Sequence, residues 1–350
     1  MSARNLLLPF SFLYGAGVIV RNWLFDIGLL AVHKVSVPVI SVGNVSAGGV
    51  GKTPLVEFLA TKLRKDYRVA VISRGYGRKS TGYLVVSNGR QRCAEAWKAG
   101  DEASQLAEKL NEVVVVVDEK RARAAEHVVR DFQATVIILD DGFQHRYLHR
   151  DLNIVVLSYK ELTNRDALLP AGNRREPLSS LLRADLIGIS RCANRNEFEN
   201  AQKILQSTVV KPMFAFRTRV KKMRSAETRK EVQQNWDRPI AFSGIGEPSA
   251  FEETLKSNGV NVGTHLIFRD HHWYSVTDLQ KIRVSSNEFQ ADAIITTEKD
   301  VARLDGDNEN GRMFLKENPV YYVEIEPEII AGEEILNQQL ERFGYAHRNN

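Results

Sequence analysis

Cysteine is nearly absent: Cys93 and Cys192 are the only two in 350 residues. They supply no disulfide framework and no Cys-rich zinc module, and they fit a reducing compartment, the cytosol. Internal repeats and low-complexity tracts are missing as well. So is any uncharged run long enough to cross a bilayer. The longest, from Asn5 to Val20, falls short of the roughly 20 residues a helix needs, contains Pro9 and is followed by Arg21 and Asp26. No small-residue cleavage site follows it, which argues against a signal peptide. Charge of one sign is not in large excess: 48 Lys and Arg oppose 43 Asp and Glu, a net +5 spread over both halves. That surplus suggests an anionic partner without choosing among nucleotide, nucleic acid and acidic lipid. With 43% hydrophobic and 26% charged residues, the chain is neither a disordered polyelectrolyte nor a polytopic membrane protein. Its length suffices for two domains.

What is present begins with residues 6–32, the most apolar stretch, where a helix is expected. It either packs on the domain or lies in a bilayer interface, with Trp23, Arg4, Arg21 and Lys34 at headgroup level. From residue 37 onward short apolar runs alternate with helical patterns. Strands are predicted at Val37–Val42, Arg68–Ile72, Val113–Val117, Thr135–Leu139, Asn153–Leu157, Asp185–Ile189, Pro239–Phe242, Thr264–Phe268, Ala293–Thr297 and Val320–Ile325. Several are apolar at every position, as strands covered on both faces require. Helical patterns at Leu55–Arg64, Asp101–Leu110, Lys120–Asp131 and Ser249–Ser257 make a doubly wound, mainly parallel α/β sheet the expected fold. Polar, basic residues 213–237 read as a linker or solvated ribbon. They would divide a P-loop domain (35–212, after the N-terminal helix 1–34) from a smaller α/β lid domain (238–350).

Conspicuous polar clusters follow the predicted strands, at the edge where open α/β sheets bind ligands. Ser46, Ala47, Gly48, Gly49, Val50, Gly51, Lys52 and Thr53 lie between an apolar strand and a helical pattern. They form the phosphate-cradling loop G-x-x-x-x-G-K-[ST], with Ser46 in place of the first glycine. The glycines let backbone N–H groups turn inward around phosphate oxygens; Lys52 would reach the β/γ-phosphates and Thr53 would hold Mg²⁺. A plain glycine-rich turn would not need the Lys-Thr pair. Thr135–Leu139 then ends in Asp140 and Asp141, the form of a metal-coordinating acid at a strand tip. Thr297-Glu-Lys-Asp300 has Glu where a guanine reader needs Lys, so ATP with Mg²⁺ is expected rather than GTP.

Gly43-Asn44 ahead of the loop, Pro54 after it, Ser73-Arg-Gly-Tyr-Gly77, Gly100-Asp-Glu102, Asp140-Asp-Gly-Phe-Gln-His145, Leu169-Pro-Ala-Gly172, Arg175-Glu-Pro177, Phe268-Arg-Asp-His271 and Ile295-Thr-Thr-Glu-Lys-Asp300 occur in that order. Together they resemble the tetraacyldisaccharide 4′-kinase family, the lipid A 4′-kinases of Gram-negative bacteria, over nearly the whole chain. The resemblance implies transfer of the γ-phosphoryl of ATP to the 4′-hydroxyl of an acylated glucosamine disaccharide 1-phosphate, giving lipid IVA. It implies a peripheral protein on the cytoplasmic face of the inner membrane, anchored by its N-terminal helix. It also implies a catalytic Asp matching Asp101, paired with a His matching His271, and magnesium ligands matching Thr53, Asp140, Asp141 and Glu176. A monomer is expected, and nucleic acid is not an expected partner, since the basic charge is local and no recognition motif accompanies it.

Each assignment has a plainer rival. Asp101 starts a helical pattern and fits an N-cap, His271 sits beside His272 as solvated loop histidines do, and Glu176 fits a salt bridge to Arg174 or Arg175. Arg74 and Arg78 suit phosphate binding or surface ion pairs. The basic run Arg217–Lys230 suits a solvated ribbon or an anionic headgroup. The different-class alternative for the whole chain is a membrane-associated nucleotide switch that recruits a partner.

Overall fold

A computed structural model describes residues 3–348 apart from Arg165, Gln234, Asp307 and Asn308; the side chains of residues 3–5 and 342–348 lie outside the description. The chain opens with helix α1 (Ala3–Asp26), then β1 (Val39–Asn44), α2 (Lys52–Leu63), β2 (Val69–Ser73), β3 (Leu84–Asn88), α3 (Ala96–Ala99), α4 (Asp101–Lys109), β4 (Val114–Val117), α5 (Arg121–Phe132), β5 (Val136–Asp140) and β6 (Leu152–Ser158). There follow α6 (Tyr159–Thr163), β7 (Leu186–Ser190), α7 (Arg195–Gln206), β8 (Met213–Ser225), β9 (Glu231–Val232), β10 (Pro239–Ser243), α8 (Pro248–Ser257), β11 (His265–Ile267), α9 (Val276–Phe289), β12 (Ala293–Thr297), α10 (Glu298–Asp305), α11 (Glu309–Glu317), β13 (Val320–Ala331) and α12 (Glu333–Arg348).

Every strand predicted from an apolar run is present, shifted by at most two residues at an end, except the last, which continues to Ala331. The central strands β1, β2, β5, β6 and β7 are buried along their whole length. They pair in parallel, with α2 and α4 on a core built around Leu55, Leu59 and Leu106 and α5 on the opposite face. Three strands escaped the sequence reading. Edge strand β3 pairs antiparallel to β4 and is only partly buried, so its apolar signal is weak.

The others are β8 and the two-residue β9, both in the stretch read as a linker. Residues 213–216 of β8 run parallel to β7, while 215–225 pair antiparallel to β13. One sheet therefore runs in the order β11-β10-β12-β13-β8-β7-β6-β1-β5-β2-β4-β3, with β9 beside β8. The basic charges of β8 face acids of β13 across the ribbon: Arg217 bonds Glu328, Arg219 bonds Glu326 and Arg224 bonds Glu324. Cross-strand pairing of opposite charges suits such a two-stranded ribbon. It leaves much of this basic run already matched rather than free for an anionic surface.

Parallel pairing brings the C-terminal ends of β1, β2, β5, β6 and β7 to one edge of the sheet. Next to that edge, Gly43 in β1 passes close under the turn after β5: a Cβ there would sit 2.5 Å from the Phe143 Cβ and 2.6 Å from its backbone nitrogen. The two segments can touch only without a side chain. Gly43→Ala should therefore displace the acidic turn and lower stability by about 1–3 kcal/mol, read as a fall in Tm; an unchanged Tm would mean the turn is free to move.

Candidate active site

The loop from Ser46 to Gly51 turns on Gly48 (φ +123°) and Gly51 (φ +86°), conformations costly for any residue with a Cβ. Lys52 and Thr53 then begin α2, so the loop amides and the helix N-terminus face one concavity. Lys52 donates to the Asn44 side-chain oxygen at 3.1 Å and lies 3.3 Å from Asp141 Oδ1. The segment 167–176 is stitched alongside: the Ala47 N–H donates to the Asn173 carbonyl at 2.6 Å and the Arg175 N–H to the Val45 carbonyl at 2.7 Å. The Arg175 guanidinium bonds Asp141 at 2.8 Å.

Asp140 ends β5, fully buried, with neither carboxylate oxygen meeting a hydrogen-bond partner among the described residues. Burial, then the like charges of Glu102 and Asp141, push its carboxyl up to about 7. Asp141 is only partly buried, its side chain 32% exposed, and Lys52 and Arg175 outweigh its desolvation and hold it at about 2. One orphaned carboxylate beside one paired carboxylate is a donor set that suits a hard divalent cation. With the Thr53 hydroxyl, Asp140 and Asp141 fit the Mg²⁺ of a nucleotide triphosphate.

Glu176 fits less well. It is buried, and its Oε2 accepts hydrogen bonds from Asn22 at 2.9 Å and Arg183 at 2.7 Å; only Oε1 lacks a partner. Its salt-bridge partner is Arg183, not Arg174 or Arg175 as the spacing suggested. Sequence proximity favoured the adjacent arginines, but Arg175 reaches forward to Asp141 instead.

Asp101 and His271, 170 residues apart, meet at 2.9 Å between Oδ2 and Nδ1. Asp101 is the first residue of α4, placed by Gly100, whose Cβ position would lie 2.7 Å from the Tyr76 carbonyl. The N-cap is Gly100 rather than Asp101 and no side chain caps the helix; Asp101 Oδ1 accepts only the Glu102 N–H at 2.9 Å, beside the histidine contact. Oδ2 also accepts Nε and Nη2 of Arg303, at 3.0 and 2.5 Å. Burial alone would raise the Asp101 pKa; the His271 hydrogen bond and the Arg303 charge overcome it and hold the carboxyl well below the carboxylate range. The same hydrogen bond raises His271 against its own burial. The Tyr76 ring lies 4.9 Å from the His271 ring.

Arg303 is one residue of this cluster that the sequence reading missed. It also donates to Asp300 at 2.8 Å, three residues earlier on α10, and to the Gly244 carbonyl at 2.7 Å. Its nearness to Glu298-Lys-Asp300 was the available signal. Arg121 was missed as well: buried at the start of α5, it lies among Asp141, Arg74, Asp140 and Asp118, with its Nε unpartnered. His145 is held neutral nearby, at about 4, by burial and by Arg121, Arg150, Arg21 and Arg74. Arg78 instead bonds Glu119 and the Gly82 carbonyl, a structural use.

A second buried cluster joins the halves. Lys109 of α4 contacts Glu57 of α2 at 2.6 Å and Glu298 of α10 at 3.1 Å. Gln105 donates to the same Glu298 oxygen at 3.0 Å. Burial pushes Glu298 up to about 7, with Lys109 opposing and Glu57 and Glu324 adding like charge. An acid raised above its unfolded value of 4.5 holds more protons when folded, so this group makes stability fall as pH climbs from about 4.5 through about 7. Glu298→Gln should flatten that part of the stability profile in urea titrations at several pH values; an unaltered slope would remove Glu298 from the linkage.

The family model described as tetraacyldisaccharide-1-P 4′-kinase matches residues 3–344. The tetraacyldisaccharide 4′-kinase of Chlorobium limicola is 38% identical over 341 residues, covering 96% of this chain and 97% of the relative. That of Chlorobaculum tepidum is 35% identical over 343 residues, covering 97% of each. Among solved structures, the "apo" form of LpxK from Aquifex aeolicus in complex with ATP superposes with a TM-score of 0.76 at 36% identity, covering 97% of this chain and 99% of that one. With its phosphate loop, acidic strand tip and Asp–His pair in one cleft edge, the chain belongs to the tetraacyldisaccharide-1-phosphate 4′-kinase family.

Proposed function

We propose that this chain transfers the γ-phosphoryl group of ATP to the 4′-hydroxyl of a tetraacylated glucosamine disaccharide 1-phosphate, with Asp101 accepting the hydroxyl proton. The observation that carries the residue roles is the Asp101–His271 bond, made between α4 and the segment after β11. The nucleotide-switch alternative gains nothing from the family assignment. The loop amides and Lys52 bind and orient the phosphates, and Arg121 and Arg74 add positive potential behind Asp140 and Asp141. Thr53, Asp140 and Asp141 would hold Mg²⁺, which would supply charge neutralisation for the phosphates, with Glu176 contributing at most through Oε1.

Asp101 presents two distinct oxygens. Oδ2 is clamped by His271 and Arg303, whereas Oδ1 carries a single N–H bond and keeps lone-pair capacity for the acceptor. The depressed pKa keeps the carboxylate ionised at neutral pH. A weak base of this kind takes the proton late, once the forming O–P bond has acidified the hydroxyl, as a loose transition state requires. His271, reaching in from the other half, orients the carboxylate and completes the site on closure. Such a closure would move residues 238–350 against 35–212, except that Leu336 and Leu340 of α12 pack into the core of the phosphate-loop half and stay with it; the protein acts as a monomer.

Asp101→Asn, which preserves shape, should lower kcat by about 10²-fold or more with ATP affinity nearly intact. His271→Ala should cost less, about tenfold. Incubation with γ-labelled ATP and the disaccharide 1-phosphate, read by product mass, checks both; wild-type turnover in Asp101→Asn would remove it from the chemistry.

The same reading places the protein peripherally on the cytoplasmic surface of a Gram-negative inner membrane. Helix α1 supports it. One face, Ser11, Gly15, Asn22 and Phe25, packs inward, with Ser11 donating to the Leu168 carbonyl at 2.8 Å and Arg21 to the Gln144 carbonyl at 2.7 Å. The other face exposes Leu6, Phe10, Phe12, Leu13, Ile19, Val20 and Trp23. Leu6–Asp26 is long and apolar enough to span a bilayer, yet this docking along the protein suits a helix lying in the interface. Arg4, assigned to headgroup level by the sequence, has its side chain outside the described residues. Phe12→Asp with Leu13→Asp should cut flotation with anionic liposomes several-fold while ATP binding persists; undiminished flotation would refute the anchor. Deleting the helix is a poorer test, because Tyr14 and Asn22 brace the loop that carries Arg175.

A further inference from the structure

The terminal phosphates of a nucleotide on this loop belong on the side of Asp140 and Asp141, at the tip of β5. β5 and β6 flank β1 on opposite sides and β7 lies beyond β6, so a triphosphate with its terminal phosphates at Asp140 and Asp141 would direct its nucleoside end toward the tips of β6 and β7. That ground is already shaped. Ser190 and the Phe216 ring pack against Gly51, within 4.0 Å of its Cβ position, and close the loop's outer flank. The next residue, Arg191, has φ +56°, a left-handed conformation that costs a residue with a Cβ energy and clusters at functional positions. Its guanidinium donates from Nη2 to the Gly49 carbonyl, inside the phosphate loop, and from Nη1 to Glu247. Glu247 follows β10 in the other half of the chain, and its Oε1 lies 4.0 Å from the Cβ position of Gly48. The Arg191 side chain is 27% exposed, so it is neither a free surface charge nor a buried one.

We propose that Arg191 is a nucleoside-positioning residue for ATP, its guanidinium plane packed against the base while its edge is tied to Gly49 and Glu247. Arginine suits the task because a delocalised planar cation stacks on π-faces and donates in its own plane at the same time. Two in-plane bonds, to the loop and to the opposite half, fix the orientation of the plane before nucleotide arrives. Base–cation stacking on a preorganised platform adds affinity for the nucleoside without touching the reacting phosphate. The Glu247 bond makes the platform depend on both halves, so that nucleotide binding favours their approach.

The test is calorimetric binding to the full chain with Mg²⁺ and no acceptor, comparing ATP with inorganic tripolyphosphate, which lacks a nucleoside. This rests on ATP as the nucleotide but not on the lipid acceptor, so loss of the kinase reading would leave its outcome intact. Arg191→Ala should weaken ATP at least tenfold and leave tripolyphosphate within twofold, and intact tripolyphosphate binding reports a folded loop. In steady state it should raise KM for ATP with kcat within about threefold of wild type and KM for the acceptor unchanged. Arg191→Lys, which keeps the charge and the reach to Gly49 but not the plane, should still lose at least threefold in ATP affinity. Equal losses for ATP and tripolyphosphate, unchanged ATP affinity in Arg191→Ala, or full affinity in Arg191→Lys would each overturn the assignment.

Discussion

A guanidinium that cannot shed its charge, sealed inside the protein, governs how the two ends of this chain are arranged. Arg303 is almost wholly buried between Asp101 and Asp300, themselves buried. Removing any one of three such charges from water is expensive unless the others stay in contact. Asp300 and Arg303 ride on α10, whereas Asp101 starts α4 some two hundred residues earlier. The pairing therefore holds the C-terminal half against the phosphate-loop half at the carboxylate assigned to proton transfer. Tyr274 and the Gly244 N–H bind the same Asp300 oxygen, so the clamp is supported from behind by β10 and the segment after β11. Lys299–Glu102 and Lys109–Glu298 repeat the theme on either side. The geometry around Asp101 and the geometry between the halves are one electrostatic problem here.

A second chain of contacts ties the apolar N-terminal helix to the nucleotide loop. Helix α1 holds the segment around Leu168–Glu176 through Ser11, Tyr14 and Asn22. That segment in turn bonds the backbone at Val45 and Ala47 and delivers Arg175 to Asp141. With α1 lying in a bilayer interface, as proposed, a helix with one face on the loop and the other exposed and apolar would couple the position of that surface to the position of the phosphates. This gives physical sense to a kinase whose acceptor has its sugar in water and its acyl chains in lipid.

Sequence legibility divided along the range of the interactions. The sheet was readable because each central strand is an unbroken apolar run, and because parallel strands need covering on both faces. The phosphate loop and Asp140-Asp141 were readable because their chemistry is local: backbone turning, a helix start and a strand tip within a few residues. Strand β8 was misread as a linker because a ribbon solvated on one face and neutralised by β13 looks polar and basic when its partner is a hundred residues away. Glu176 was given adjacent arginines for the same reason, and Arg303 carried no periodic or motif signal of its own.

By itself, then, the amino-acid order determined a nucleotide-binding α/β sheet and the family, because short-range patterns of apolar runs, glycines and a Lys-Thr pair are sufficient to specify them. Only tertiary structure decided which charges meet. It set His271 and Arg303 on one oxygen of Asp101, left Asp140 without a hydrogen-bond partner among the described residues, and turned Arg191 over the loop toward Glu247. Protonation, clamping and orientation depend on distances of about 3 Å between residues far apart in the chain. No local pattern encodes such distances.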